Sequence, residues 1–340
     1  MHRALPIFVA LSAAIAQDPQ FGVQSRLVLV PTTVLDAKGG TVDGLAAKDF
    51  TVLDNGVRRD VVVDTFATGV APISLVVAVQ AAGISRPALE KIRKIGAMIR
   101  PLVTGERGCA GVLQFAATVR WLQECTSDED KVAAAFERLR SGEEKMARMV
   151  DGVMEAVKHL SGRQNTRRVI VLISESRDRG SEAKLESAVT AAQAAGVTVY
   201  AVTYSVYTTA FTTRSQGEPD PVRRPRKPSD ETGTATGAPP TGTMPQIPSA
   251  SQQVDFLGGF GELIRLGKVN TTQVLLAQTG GAAFSFTRQK GLEQAIQKLG
   301  QELHTQYLLS FTPGSVEPGY HRLIVKAGDY AVRARPGYWR

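Results

Sequence analysis

The chain has 340 residues, of which 43% are hydrophobic and 21% charged, with 40 Lys and Arg against 32 Asp and Glu for a net charge of +8. This balance excludes wholesale disorder, and the length allows two domains or one large domain with appendages. The surplus charge does not mark a nucleic-acid binder: its densest cluster, Arg223-Arg224-Pro225-Arg226-Lys227, lies in a Pro-rich stretch with few aromatics for base stacking.

Residues 1–16 read as a secretory signal, with His2 and Arg3 before an apolar core and an Ala14-Ile15-Ala16 cleavage site. The competing reading is a buried N-terminal helix. The core is too short for a bilayer span, which needs roughly 20 apolar residues, and no later run is long enough. The mature chain is therefore expected to be exported, periplasmic or secreted, without an integral membrane segment.

Residues 17–70 form an N-terminal β module. Ser25 to Leu35 reads as a strand, and Asp49 to Leu53 and Arg59 to Val63 as a hairpin around Asp54-Asn55-Gly56. From Pro72 the pattern changes. Ile73 to Gln80 is a continuous apolar run that suits a strand buried on both faces of a parallel sheet. A Gly-containing turn follows, with Ser85 as N-cap and Pro87 in the first turn of a helix to Ile99.

Gly111 to Phe115 and Val119 to Gln123 form a hairpin-like pair that sets Cys109 and Cys125 almost opposite each other. The pair is either a cross-strand disulfide or two buried free thiols, depending on Cα separation and Cβ direction. Helices follow at Glu129 to Leu139, Met146 to Leu160 and Glu182 to Ala195. They alternate with strands at Val169 to Ser174 and Val197 to Thr203. Such alternation implies a doubly wound, mostly parallel α/β sheet. From about Tyr207 to Gln253 Pro, Gly, Ser and Thr dominate, a composition for a flexible excursion.

After it come a helix Asn270 to Gln278, an edge strand Ala282 to Phe286, an amphipathic helix Gly291 to Leu303, and strands Gln306 to Thr312, Gly319 to Lys326 and Tyr330 to Arg335. The expected division is an α/β domain over 71–304, interrupted at 207–253, and C-terminal strands over 305–340. Neither terminal piece is a comfortable domain alone. They are expected to pair into a small β-sandwich into which the α/β domain is inserted.

Four stretches together carry a family likeness: Val28 onward, ending Gly44-Leu45-Ala46-Ala47-Lys48-Asp49-Phe50 and running to Gly56; Ile73 to Gly83; Arg168 to Ser174; and Thr279-Gly280-Gly281-Ala282-Ala283-Phe284 with His304 to Phe311 and Val332 to Tyr338. The chain resembles a von Willebrand factor type A domain, and more narrowly the exported VWFA-related proteins best known from acidobacteria. The resemblance implies a Rossmann-type fold and a divalent-cation site at the top of the sheet. Its ligands would be an Asp-x-Ser-x-Ser strand end, a Thr and a later Asp. Here those positions hold Gln80, Ala82, Ile84, Ala147 and Glu175. An amide, aliphatic groups and one carboxylate are a poor set for Mg²⁺, which wants hard oxygens in octahedral array.

A degenerate site with no cofactor and no bound metal is therefore expected, with Arg148, Arg177 and Arg179 beside Glu175 and Asp178. His159, His304 and His321 show no metal-ligand spacing and read as surface positions. There is no Gly-x-Ser-x-Gly, no P-loop and no Cys-His pairing, and Gly258-Gly259-Phe260-Gly261 lacks the strand a dinucleotide fingerprint needs.

The functional expectation is a non-enzymatic protein-interaction module with a metal-independent protein ligand. Its contact surface is sought at Gln80, Ala82, Ile84, Ser85, Arg148, Glu175, Arg177 and Asp178. The alternatives are a structural cell-envelope component spaced by the excursion, and, remotely, an enzyme with an unrecognised site.

Overall fold

The computed structural model describes residues 27–64, 72–102, 108–163, 166–205, 270–314 and 318–339. The signal at 1–16, the excursion at 207–253 with its basic cluster, and the Gly258–Gly261 run lie outside the described residues.

Four strands open the described chain: β1 (Val28–Leu35), β2 (Phe50–Asp54), β3 (Val57–Arg59) and β4 (Val62–Asp64). The α/β unit follows with β5 (Ile73–Gln80), α1 (Arg86–Ile92), β6 (Cys109–Phe115), β7 (Val119–Thr126), α2 (Glu129–Glu137) and α3 (Met149–Ser161). It continues through β8 (Arg167–Ser174), α4 (Leu185–Ala194), β9 (Val197–Tyr204), α5 (Thr271–Thr279), β10 (Ala283–Phe286) and α6 (Gln289–Thr305). The chain closes with β11 (Tyr307–Phe311), β12 (Tyr320–Ala327), β13 (Ala331–Arg333) and β14 (Gly337–Trp339).

The central sheet has the order β10-β9-β8-β5-β6-β7, parallel except for the β6–β7 pair. All eight residues of β5 are buried. Because side chains alternate across a strand, Ile73, Leu75, Val77 and Val79 enter one core with Leu89, Ile92, Phe136, Ile296 and Leu299. Val76 and Ala78 enter the opposite core with Val153, Leu160, Ala192 and Leu275. Helices therefore cover both faces, α1, α2 and α6 on one and α3, α4 and α5 on the other.

The two ends of the chain interleave. One antiparallel sheet runs β13-β1-β11-β4 and the other β14-β12-β2-β3. Between them lie Val30, Val34, Phe50, Val52, Tyr307, Leu309 and Phe311. Phe50 meets Tyr307 edge-on with ring centroids 5.1 Å apart. The small sandwich expected from the terminal strands is present.

Several local expectations need correction. The hairpin turn forms at Asn55 and Gly56, both at positive φ as a type I′ turn requires. The run after it, however, is not one strand: β3 pairs with β2, and β4 crosses to pair with β11 in the other sheet. The helix expected to Ile99 is α-helical only to Ile92 and continues as a tighter 3₁₀ turn over Arg93–Met98. There a Cβ at Gly96 would stand 2.9 Å from the Ala133 Cα, so the backbone of α2 comes directly against this segment. His321 is not a surface residue. It shares the inward face of β12 with Leu323, is 5% exposed, and stacks on Tyr338 with Nδ1 3.2 Å from Asp54 Oδ1.

The two cysteines are bonded, with a Cα separation of 5.3 Å. A buried polar seam joins the sandwich to the α/β unit. Arg167 donates to the Leu303 carbonyl at 2.8 Å and to Gln306 Oε1, and Gln306 Nε2 donates to the Tyr200 hydroxyl at 3.1 Å. Arg335 donates to the carbonyls of Gln193 and Leu29, reaching both layers at once.

Candidate functional site

The carboxyl ends of β5, β6 and β8 define the top of the sheet, where open α/β sheets bind ligands. Three connections meet there: 81–85 after β5, 140–148 before α3, and 175–184 after β8.

The first two are zipped together by their backbones. Gly142 N–H donates to the Ala81 carbonyl at 2.7 Å and Gly83 N–H to the Glu144 carbonyl at 2.8 Å. The approach is close enough that a Cβ on Gly83 would sit 2.6 Å from the Glu143 carbonyl oxygen, so glycine is required. Ala81 N–H in turn donates to the Phe115 carbonyl.

Gln80 is fully buried at the end of β5. Its Oε1 accepts the backbone N–H of Glu175 at 3.0 Å, tying the ends of two neighbouring strands. Its Nε2 is buried without a hydrogen-bond partner. Ala82 and Ala147 are also fully buried and pack into the apolar cluster of Leu113, Phe115 and Met149, with Ile84 against it. Ala147 and Arg179 exchange both backbone hydrogen bonds, at 2.9 and 3.0 Å, which clamps the second and third connections together.

Charged groups here hold backbone. Asp178 Oδ1 accepts from Val150 N–H at 3.1 Å and from the Ser181 hydroxyl at 2.6 Å, and Oδ2 accepts from Ser181 N–H. Val150 lies in the first turn of α3, where unpaired N–H groups favour an anion. Asp151 accepts from the N–H groups of Glu182 and Ala183. Arg148 pairs with Glu182 at 2.7 Å and Asp151 at 3.8 Å, and Arg179 with Glu175 at 3.2 Å.

Ser85 does not cap α1. Its backbone is already helical, its side chain makes no cap bond, and its hydroxyl is buried. The Tyr204 hydroxyl is similarly enclosed, and burial raises its pKa well above the usual phenol range, only partly opposed by the nearby Ser85 hydroxyl. Neither hydroxyl has a hydrogen-bond partner among the described residues.

Of the eight residues expected to form a contact surface, Gln80, Ala82 and Ser85 are therefore corrected: they are buried and are not available to a partner. Ile84, Arg148, Glu175 and Asp178 are half-buried, and Arg177 is exposed. The exposed rim of this face also includes Glu143, Glu144, Lys145, Met146 and Arg179, brought up by the connections around Ala147. Sequence reasoning does not place α5 here, yet the Thr271 hydroxyl accepts from Asp178 N–H at 3.0 Å and the Thr272 hydroxyl donates to the Glu175 carbonyl at 3.4 Å. The Asn270-Thr271-Thr272 start of α5, with Asn270 as a true N-cap, is the signal that points to it. Among the described residues no group of three or more His, Cys, Asp or Glu is placed to hold a metal ion.

Residues 87–223 match the family model of the von Willebrand factor type A domain. The match opens just past the Gln80–Ser85 segment. Among curated protein sequences none matches the chain significantly. The chain is similar to the solved structure of BatB from Bacteroides thetaiotaomicron (15% identity, TM-score 0.41, covering 67% of this chain and 99% of that one). It is also similar to a von Willebrand factor type A protein from Catenulispora acidiphila (10% identity, TM-score 0.43, covering 94% and 74%). A third likeness is to proximal thread matrix protein 1 of the mussel byssus, whose MIDAS motif is occupied by zinc (11% identity, TM-score 0.45, covering 73% and 49%). The fold is a type A-like α/β fold with a mixed, mostly parallel sheet, flanked by antiparallel sheets from the N- and C-terminal strands.

Proposed function

We propose that this protein is an exported, non-enzymatic interaction module of type A fold that binds a protein partner without a bridging cation. Type A domains mediate protein–protein interaction or adhesion, commonly through a divalent metal at the top of the sheet. The residues at that place do not fit such an ion. Mg²⁺ needs near-octahedral hard oxygens with carboxylate charge, whereas Gln80 is neutral with its oxygen already accepting from Glu175 N–H. Ala82 and Ala147 bring only apolar packing, Asp178 is committed to backbone, and Glu175 is paired with Arg179. The Gln80–Glu175 bond is the observation that carries this reading.

Export is supported by the signal-like residues 1–16 and by the Cys109–Cys125 disulfide, a bond that persists in oxidising compartments. Contact would then rest on shape and on the exposed rim, Glu143 to Met146 with Arg177 and Arg179.

The test is calorimetric titration of the full chain with MgCl₂ and MnCl₂, beside capture of envelope proteins on the immobilised chain in EDTA. No saturable cation heat and undiminished capture are expected. Micromolar cation binding abolished by Glu175→Ala, or capture lost in EDTA and restored by Mg²⁺, would sink the reading.

A further inference from the structure

A second surface, away from the sheet top, has its own chemistry. β7 is the outer strand of the central sheet, hydrogen-bonded to β6 on one side and to no strand on the other among the described residues. An edge strand offers unpaired N–H and C=O groups that template a further strand. On β7 the carbonyls of Leu122 and Glu124 already accept from the Arg138 and Gln123 side chains, so an added strand pairs with the remaining groups or displaces these contacts. Alongside it, between β7 and α2, runs a groove of two adjoining parts, about 320 and 470 Å³. Arg138 and Arg140 line both parts, Arg120, Trp121 and Leu122 one, and Lys131 and Glu137 the other.

The lining thus carries four cations against one carboxylate. Two of the guanidinium groups are fixed by backbone carbonyls, leaving further donors uncommitted. Arg138 donates to the Leu122 carbonyl at 2.6 Å, and Arg140 to the carbonyls of Glu137 and Leu139. Arg120 is exposed and has no ion pair among the described residues. A guanidinium held in place by carbonyls presents its remaining N–H groups as a ready fork for carboxylates.

We propose that the β7 edge and this cationic groove dock an extended acidic segment of a partner protein, which adds to the sheet as a strand and sets its carboxylates on Arg120, Arg138 and Arg140. This rests on the reading of the protein as an interaction module, but not on the sheet-top rim. Single-stranded nucleic acid is the weaker fit. The groove has one aromatic, Trp121, and that ring is already engaged, tilted against the His159 ring with centroids 4.6 Å apart and its Nε1–H donating to Glu155. No platform for successive bases remains, while the open strand edge offers main-chain pairing that only a peptide can use.

The probe is a fluorescein-labelled peptide of alternating Glu and Val, read by anisotropy against the full chain. Controls are the Lys-Val counterpart, a version N-methylated at alternate residues, and an oligo-dT of similar length. Saturable binding is expected for Glu-Val alone, weakening steeply with salt. The double variant Arg120→Glu with Lys131→Glu should lower affinity about tenfold or more, and N-methylation should do likewise. Both substituted side chains are exposed, and among the described residues the change breaks just the surface pair of Lys131 with Asp128, so the fold is retained.

No saturable Glu-Val binding, binding indifferent to charge reversal, equal binding of the N-methylated peptide, or tighter oligo-dT binding lost in the double variant would each overturn the proposal. Cation-dependent capture at the sheet top would refute the metal-free reading while leaving the β7 result intact, so the two failures are separable.

Discussion

The side chain of Gln80 and the backbone of Glu175 are joined by a 3.0 Å hydrogen bond across the ends of the adjacent strands β5 and β8. Gln80→Asp shortens the side chain, breaks this bond and buries a charge beside Glu175. An uncompensated buried polar change of this kind costs on the order of 2 kcal/mol or more. Urea unfolding should show that loss equally with and without MgCl₂. Recovery of stability by Mg²⁺ would mean that the remaining groups can still assemble a cation site.

Asp178 acts as a brace between the connection after β8 and the start of α3. Asp178→Ala deprives Val150 N–H, Ser181 N–H and the Ser181 hydroxyl of their acceptor. The expected cost is about 1–3 kcal/mol, the range for losing a cap and leaving enclosed donors unpaired. Asp178→Asn should recover part of it. A melting temperature identical to the parent for Asp178→Ala would show that the carboxylate is dispensable.

The Cys109–Cys125 bond closes a loop with a sequence separation of 16. A loop of about that length restricts the unfolded chain by roughly 3 kcal/mol. Reduction, or the double substitution Cys109→Ser with Cys125→Ser, should lower the urea midpoint accordingly. Titration of two free thiols in the unreduced protein would contradict the bond.

Acidification should destabilise the fold through His159 and His304. Burial lowers both pKa values below the ordinary 6.5, and for His159 the cation of Arg163 lowers it further while Glu124 and Glu155 oppose. His159 Nε2 is enclosed without a hydrogen-bond partner. Since the folded values lie below the unfolded one, the unfolded chain binds more protons just under pH 6.5. Stability is then full above the unfolded value and falls as pH drops through the folded values. Thermal melts from pH 7.5 to about 5 should decline, with a shallower slope in His159→Gln. An unchanged slope would remove His159 from the account.

The strands of the sheet are legible in the sequence wherever burial on both faces forces a continuous apolar run, as at Ile73–Gln80 and Arg167–Ser174. The Asn55-Gly56 turn is equally plain, because few residues accept positive φ. What resists reading is decided by neighbours distant in the chain. The split of Arg59 to Val63 depends on β11, nearly 250 positions later. His321 is drawn inward by Asp54, 267 residues away. Gln80 and Ala82 are legible only as departures from the pattern that the resemblance implies; that Gln80 ties to Glu175 N–H and that the 142–144 connection bonds to Ala81 and Gly83 depends on residues far along the chain. β14 is invisible in the sequence because three residues carry too little periodicity.

The pairing of β1 with β11 and of β2 with β12 has a consequence for biogenesis. A ribosome delivers β1 and β2 hundreds of residues before β11 and β12 exist, so β1 and the free edge of the β2–β3 hairpin must wait open to wrong association. A stop codon anywhere ahead of Tyr320 would strand β2 permanently without β12, whatever the condition of the α/β unit. Tyr320 to Trp339, which carry β12, β13 and β14, thus close both antiparallel sheets only after the α/β unit has been made.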